Sequence, residues 1–261
     1  MSESSILTDM RDHVGIVTIN RPKTHNALGV QTLLELEKAF VALESDTQCR
    51  VIVITGAGEK SFVAGGDLVD LNSRQGLAHY QTFAETIHRV FRRIETSDKP
   101  TIAAVNGWAL GGGTELLLCT DLRILSDNAT IALTEINLGL FPGAGGTQRI
   151  IRQVAPCIAR EIMFTGGRIN ADEAVRIGLA NRVVARDELM SNVLAQATQI
   201  ASKSPLVLKL LKRTLRDGAD MPLANALAHE QAMIGLVLDT QDAHEGMGAF
   251  LEKREARFMG Q

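Results

Sequence analysis

The chain has 261 residues, 45% of them apolar and 22% charged, with a formal net charge of −3. That length allows one large α/β domain, or one domain with a small appendage, and a sizeable core. No run of Lys or Arg supplies the clustered cations that phosphate binding needs, which excludes nucleic acid as the expected main partner, and no apolar run is long enough for a membrane span.

The opening segment, MSESSILTDMRD, is polar and acidic, unlike a signal or transit peptide. Cys49, Cys119 and Cys157 form no CxxC pair. A disulfide framework is not expected, and a reducing, cytoplasmic setting is the default. Short β-branched runs, each followed by a Gly-containing turn, predict strands at 15–19, 51–55, 101–105, 130–133 and 182–184. Between them, Leu33, Leu36, Phe40 and Leu43 share one helical face, as do Phe83, Ile87, Val90, Phe91 and Ile94. Strands alternating with helices imply an α/β fold with much of the sheet buried. No fixed residue period emerges, so a simple solenoid is not expected. Asn170, Glu173 and Gly178 punctuate a short helix as cap, capping-box partner and closure. After about residue 187 strand signals stop, and 187–201, 205–216, 222–238 and 242–254 read as helices. Pro205 and Pro222 suit first turns, and Gly246 and Gly248 weaken the last helix. The expected division is an α/β core over 1–200 and a helical region over 201–261. The latter is apolar enough to pack on something, either its own core or a neighbouring subunit.

The densest chemical signal is KPTIAAVNGWALGGGTELLLCTD, residues 99–121. A strand ending at Val105 leads through Asn106, Gly107, Gly111, Gly112 and Gly113 into a helix-like run from Glu115 to Cys119. Glycines there let backbone N–H groups approach a ligand, and a helix N-terminus adds unpaired donors and positive partial charge. A developing oxyanion would suit this turn, although a tight turn that merely packs closely explains the glycines too. G-x-G-x-x-G is not matched, and in GAGEKS (56–61) Glu59 stands where a phosphate loop needs Gly. Glu115 suits the helix dipole as a first-turn acid, but its neighbours Leu116, Leu117, Leu118 and Cys119 are apolar on all sides, and a buried carboxylate needs a reason. Glu135, between ATIALT and INLGLFPGAGG, is similarly placed. Two such carboxylates suit acid–base catalysis, because burial and mutual repulsion keep one protonated while the other ionises. None of the six histidines pairs with Cys, Asp or Glu at a trusted metal-ligand spacing, and neither His88 nor Lys99 has an assigned chemistry.

Five segments resemble the crotonase superfamily, and within it most closely the enoyl-CoA hydratases. They are Asn20-Arg21-Pro22 with Asn26-Ala27-Leu28; SFVAGGDL (61–68); AAVNGWALGGGTE (103–115); TEINLGLFPGAGGTQR (134–149); and GAFLEKR (248–254), in order over nearly the whole chain. The resemblance implies a spiral of repeated ββα units followed by a helical C-terminal trimerisation region, assembling as a homotrimer or dimer of trimers. It implies that Gly66 and Gly112 donate backbone N–H bonds to the thioester oxygen of a 2-enoyl-coenzyme A. Glu115 would activate a water for attack on C3, and Glu135 would protonate C2, giving the 3-hydroxyacyl thioester in fatty-acid or related acyl degradation. Ala64, Gly65, Asp67 and Leu68 would line the acyl-pantetheine site and Ala27 the nucleotide. Phe250 and Lys253 would approach adenine and phosphates, often from an adjoining subunit. No metal or redox cofactor is implied, coenzyme A being part of the substrate. Retention of both glutamates favours hydration over isomerisation, or a specialised dehydration. An RNA-binding relative is disfavoured because helix 83–94 carries only His88, Arg89, Arg92 and Arg93 as basic groups. Three positions depart from the hydratase pattern: Thr114 for Cys, Thr134 for Pro and Gly66 for Ala.

Overall fold

The computed structural model describes residues 4–261. The strands are β1 (Ile6–Arg11), β2 (Val14–Ile19), β3 (Val51–Gly56), β4 (Ser61–Val63), β5 (Thr101–Val105), β6 (Trp108–Leu110), β7 (Leu122–Ser126), β8 (Thr130–Ala132), β9 (Ile169–Asn170) and β10 (Arg182–Val184). The larger sheet has the order β1-β2-β3-β5-β7-β10, and the smaller β4-β6-β8-β9. Pairing is parallel except at the two ends, β1–β2 and β8–β9.

Three times the chain runs along the larger sheet, turns within a few residues and continues along the smaller one: β3 to β4, β5 to β6, β7 to β8. Helices then return it to the next larger-sheet strand. The product is a spiral of ββα units in which each turn adds one strand to both sheets. The second unit is far shorter than the first, because a long helical insertion follows β4 and only the helix Gly112–Leu117 follows β6. Unequal insertions erase any sequence period while the geometry still repeats.

β3 shows why the sheet reads as a continuous apolar run. Ile52 and Ile54 join the core beneath the helices Val30–Ser45 and Glu85–Thr96. Val51 and Val53 point to the opposite face, against Leu189, Val193 and Ala197 of the helix Leu189–Ala201. A strand covered on both faces has no polar side to alternate with. Leu33, Leu36 and Phe40, foreseen on one helical face, are fully buried there. β4 and β6 escaped sequence reading because SFV and WAL carry no run of β-branched residues. In β7, Arg123 interrupts the apolar pattern. Asn170 Oδ1 accepts the Glu173 N–H at 2.8 Å and Gly178 has φ +78°, so that short helix is capped as expected.

The last three helices are Pro205–Gly218, Leu223–Leu238 and Gln241–Glu252. Pro205 takes the first-turn position behind Ser204, which caps the helix, whereas Pro222 stands one residue before its helix begins. Gly246 and Gly248 do not break the last helix. No residue of Leu223–Leu238 is buried, and Leu223, Leu227, Ile234, Leu236 and Leu238 are each at least half exposed. No helix among the described residues is long and apolar enough to cross a membrane.

Candidate active site

The site grows from the turn between β6 and the helix Gly112–Leu117. Sequence reading placed the glycines directly after β5. Instead β6 intervenes, and the chain leaves it through Gly111 at φ +50°, ψ −120°, a conformation a side chain would strain. All six helical residues are buried. The helix presses so closely on β4 that a Cβ at Gly113 would lie 1.9 Å from the Val63 carbonyl oxygen. Its C-terminal end is held by Arg123, whose guanidinium donates to the carbonyls of Leu117 (2.9 Å), Thr120 (3.1 Å) and Leu179 (3.0 Å). The Thr120 and Leu179 carbonyls gain in Arg123 a donor that the helix itself does not supply. Thr114, a departure from the hydratase pattern, places its hydroxyl 2.6 Å from the Ala109 carbonyl and 2.9 Å from that of Ala132, within the structural frame.

The second donor turn follows β4. Leu28 donates to the Gly65 carbonyl and Asp67 to the Leu28 carbonyl, both at 2.9 Å. The Ala27–Leu28 segment is thereby laid beside Gly65–Asp67. Asn26, fully buried, anchors that segment by donating to the Ala57 and Ser61 carbonyls. Asp67 is structurally engaged: its carboxylate caps the helix Leu68–Asn72 and meets Arg21 at 3.1 Å. Gly66 and Gly112 face each other closely, a Cβ on Gly112 lying 3.5 Å from the Gly66 nitrogen. Among the described residues neither amide donates to a protein acceptor. Two N–H groups left free side by side, one opening a helix, can bind one oxygen that gains negative charge. A Cβ on Gly66 would meet only the tip of Leu71, at 2.7 Å.

Glu115, on the same helix, is 3% exposed. Its Oε1 accepts both the Ala144 N–H at 2.7 Å and the Gly146 N–H at 2.8 Å. One oxygen is thereby fixed, and the other accepts no protein hydrogen bond among the described residues. Burial pushes its pKa up to about 7, the Glu135 charge pushes the same way, and the two N–H bonds and Arg149 pull back. The strand expected over 130–133 stops at Ala132, and Glu135 opens a 3-10 turn, Glu135–Leu138, that follows Thr134 at φ −90°, ψ 0°. Its pKa is raised too, by burial, and its Oε2 is buried without a hydrogen-bond partner. Oε1 lies 3.0 Å from where a Cβ of Gly111 would stand, which brings the carboxylate over the donor turn.

The structure thus gathers Glu115, Glu135, Gly66 and Gly112, with Ala27, Ala64, Gly65, Asp67 and Leu68 bordering the second donor turn. It does not bring Phe250 or Lys253 there. Both stand exposed at the end of the helix Gln241–Glu252, which packs chiefly on the two helices before it. Sequence reading missed the amides of Ala144 and Gly146, although the run FPGAGG directly before a helix was the available signal. Among the described residues no cluster of three His, Cys, Asp or Glu side chains suits a metal.

The model of the Enoyl-CoA hydratase/isomerase family matches residues 9–261. The chain is 43% identical over 259 residues to the crotonyl-CoA hydratase of Syntrophomonas wolfei, covering 99% of each chain. It is 42% identical over 255 residues to the short-chain-enoyl-CoA hydratase of Clostridium acetobutylicum, covering 98% of this chain and 97% of that one. The crystal structure of an enoyl-CoA hydratase from Bacillus anthracis superposes with a TM-score of 0.95 at 36% identity, covering 99% of this chain and all of the other.

Proposed function

Because the chain belongs to the enoyl-CoA hydratase/isomerase family, we propose that its two facing glutamates add water across the 2,3 double bond of a short 2-enoyl-CoA thioester. The observation that carries the reading is the convergence of one buried and one half-buried carboxylate on two unpaired backbone N–H groups. The thioester oxygen sits between the Gly66 and Gly112 amides. A water lies between the carboxylates. Glu115 takes one of its protons as the water oxygen attacks C3. The electron pair of the double bond moves into the thioester, where the two amides hold the enolate oxygen. Glu135 then gives its proton to C2. One water is consumed, one C–O and one C–H bond form, and the two carboxylates exchange protonation states.

Hydrogen bonding favours this division of roles. Two donors on Glu115 Oε1 favour its ionised form, whereas the unpartnered Glu135 Oε2 suits a protonated acid. The thioester itself is the electron sink, so the reading needs no metal or redox group. Each amide contributes about 2.7–4 kcal/mol of barrier lowering, the typical loss when one such donor is removed.

The apolar, unburied helix Leu223–Leu238 supports assembly through the C-terminal helices as a homotrimer or a dimer of trimers. Phe250 and Lys253 would then reach a neighbour's coenzyme A. Buried free Cys49 and Cys119 suit a reducing, cytoplasmic setting. RNA binding finds no support in the helix Glu85–Thr96, whose Arg89 pairs with Glu37 and whose Arg93 pairs with Glu44.

The test is a panel of short, medium and branched 2-enoyl-CoA thioesters, followed by loss of conjugated-enoyl absorbance. Turnover is expected with crotonyl-CoA. No loss with any member, under conditions where a known hydratase works, refutes the hydratase reading.

A further inference from the structure

The turn that holds Glu115 is itself held from behind. Gly143 to Gly146 present two N–H groups to the Glu115 carboxylate on one side. On the other side, Arg149 Nη1 donates to the Ala144 carbonyl at 3.0 Å, the carbonyl of a residue whose N–H binds Glu115. Arg149 also lies across Gly145, where φ is +101° and a Cβ would stand 1.9 Å from Nη1. Its remaining fork is fixed by Glu95 on the helix Glu85–Thr96, with Nε–Oε1 and Nη2–Oε2 both at 2.8 Å. The same helix reaches the turn a second time, His88 Nε2 lying 2.9 Å from the Gly143 carbonyl. The Arg149 side chain is only 14% exposed, and its charge is matched by Glu95 rather than by solvent.

We propose that Arg149, fixed by the bidentate contact with Glu95, is a positioning residue for hydration: it sets the Ala144–Gly146 turn and through it the aim of Glu115. It touches neither substrate nor reacting atoms. The chemistry accounts for the residue type. A planar fork can hold a carboxylate with two N–H groups and still donate a third to a carbonyl, which Lys cannot do in fixed geometry. A carboxylate that must meet a single water needs its angle fixed as well as its charge, and a misplacement of about 1 Å can cost about 100-fold in rate. The proposal rests on the hydratase reading for its kinetic arm and on geometry alone for its structural arm. The charged and titratable groups facing Glu115 are Glu135, Arg149 with its partner Glu95, Cys119 four residues on, and His88 across the turn.

Arg149→Lys keeps the charge and removes the fork, Arg149→Gln removes both, and Glu95→Gln weakens the hold from the far end. The helical neighbour Arg152→Lys is the control, its side chain being 58% exposed. With crotonyl-CoA, Arg149→Lys should lower kcat about 10- to 100-fold with KM nearly unchanged. Arg149→Gln should in addition move the acid limb of the pH profile upward, since a cation that favours ionised Glu115 is gone. Combining Arg149→Lys with Glu95→Gln should cost little more than Arg149→Lys alone, because both act through one contact. Independently of substrate, hydrogen exchange at the Ala144 and Gly146 amides should quicken in Arg149→Lys and not in Arg152→Lys. Unchanged kcat in both Arg149 variants, or a loss confined to KM, overturns the proposal. So does unchanged exchange at the two amides. Should Arg149→Lys fail to fold, Glu95→Gln carries the same readings. If the wild-type chain hydrates no enoyl thioester, the hydratase reading fails while the exchange measurement still decides whether Arg149 holds the turn.

Discussion

Replacing Glu115 by Gln separates stability from chemistry at one atom. The Gln side-chain oxygen can still accept the Ala144 and Gly146 N–H bonds, so shape and hydrogen bonding persist, but the site can no longer ionise. In the wild-type chain burial raises this carboxyl from its ordinary 4.5 to about 7. Roughly 2.5 pH units at about 1.4 kcal/mol each amount to about 3 kcal/mol. The sign follows from proton counting. Below pH 4.5 the group is protonated in folded and unfolded chains alike and costs nothing. Between 4.5 and about 7 the folded chain binds the extra proton, so its stability falls as pH rises, and above about 7 the full cost is present. Glu115→Gln removes that cost. At a fixed protein concentration its melting temperature relative to wild type should therefore climb by roughly 5–10 °C from pH 5 to pH 8. Differential scanning fluorimetry across that range measures it, with crotonyl-CoA hydration followed on the same samples and expected to be nearly abolished. A melting difference that stays flat with pH, or that falls, would refute the assignment of a buried, proton-retaining carboxyl to Glu115.

Other perturbations probe the remaining parts. Glu135→Gln should lower hydration by about 100- to 10,000-fold, the range typical of a lost general acid, while circular dichroism stays native; near-normal turnover would remove Glu135 from the mechanism. Gly66→Ala should leave kcat within severalfold, because the new methyl meets only the movable tip of Leu71 and the backbone donor survives. Gly113→Ala, with its methyl 1.9 Å from the Val63 carbonyl oxygen, should fail to give native folded enzyme by gel filtration. Equal behaviour of these two variants would contradict the close approach of the helix to β4.

The contrast between those glycines shows where sequence reading stops. Gly111, Gly112 and Gly113 are adjacent and identical in type, and the sequence marks all three alike, as a donor turn or a tightly packed one. Only the folded geometry distinguishes them: Gly111 for its positive φ, Gly112 for its free N–H, Gly113 for the backbone oxygen beside it. β2, β3 and β5 of the larger sheet were readable because each carries an apolar run with β-branched residues buried on both faces, whereas β1 is mostly exposed and Arg123 interrupts β7. β4 and β6 were not, since SFV and WAL carry no run of β-branched residues, unlike the equally short β8 and β10. The structural braces were unreadable for a different reason. Arg123, Arg149 and Glu95 look like ordinary charged residues until their partners arrive from distant parts of the chain. A charge announces burial in sequence only when its neighbours are all apolar, as around Glu115.

By itself the sequence determined the α/β alternation, the strand-free C-terminal region and the suspicion that Glu115 and Glu135 are buried acids beside glycine turns. These follow from local composition and periodicity, which act over a few residues. The tertiary structure alone decided that the two acids gather with one pair of free amides around the Gly111–Gly113 turn, that Ala144 and Gly146 fix one oxygen of Glu115, and that Arg149 and Glu95 stand behind that contact. The contacts that brace Glu115 depend on residues 29 to 54 positions apart meeting within about 3 Å, the range of a hydrogen bond. No pattern along the chain encodes that meeting until the spiral has closed.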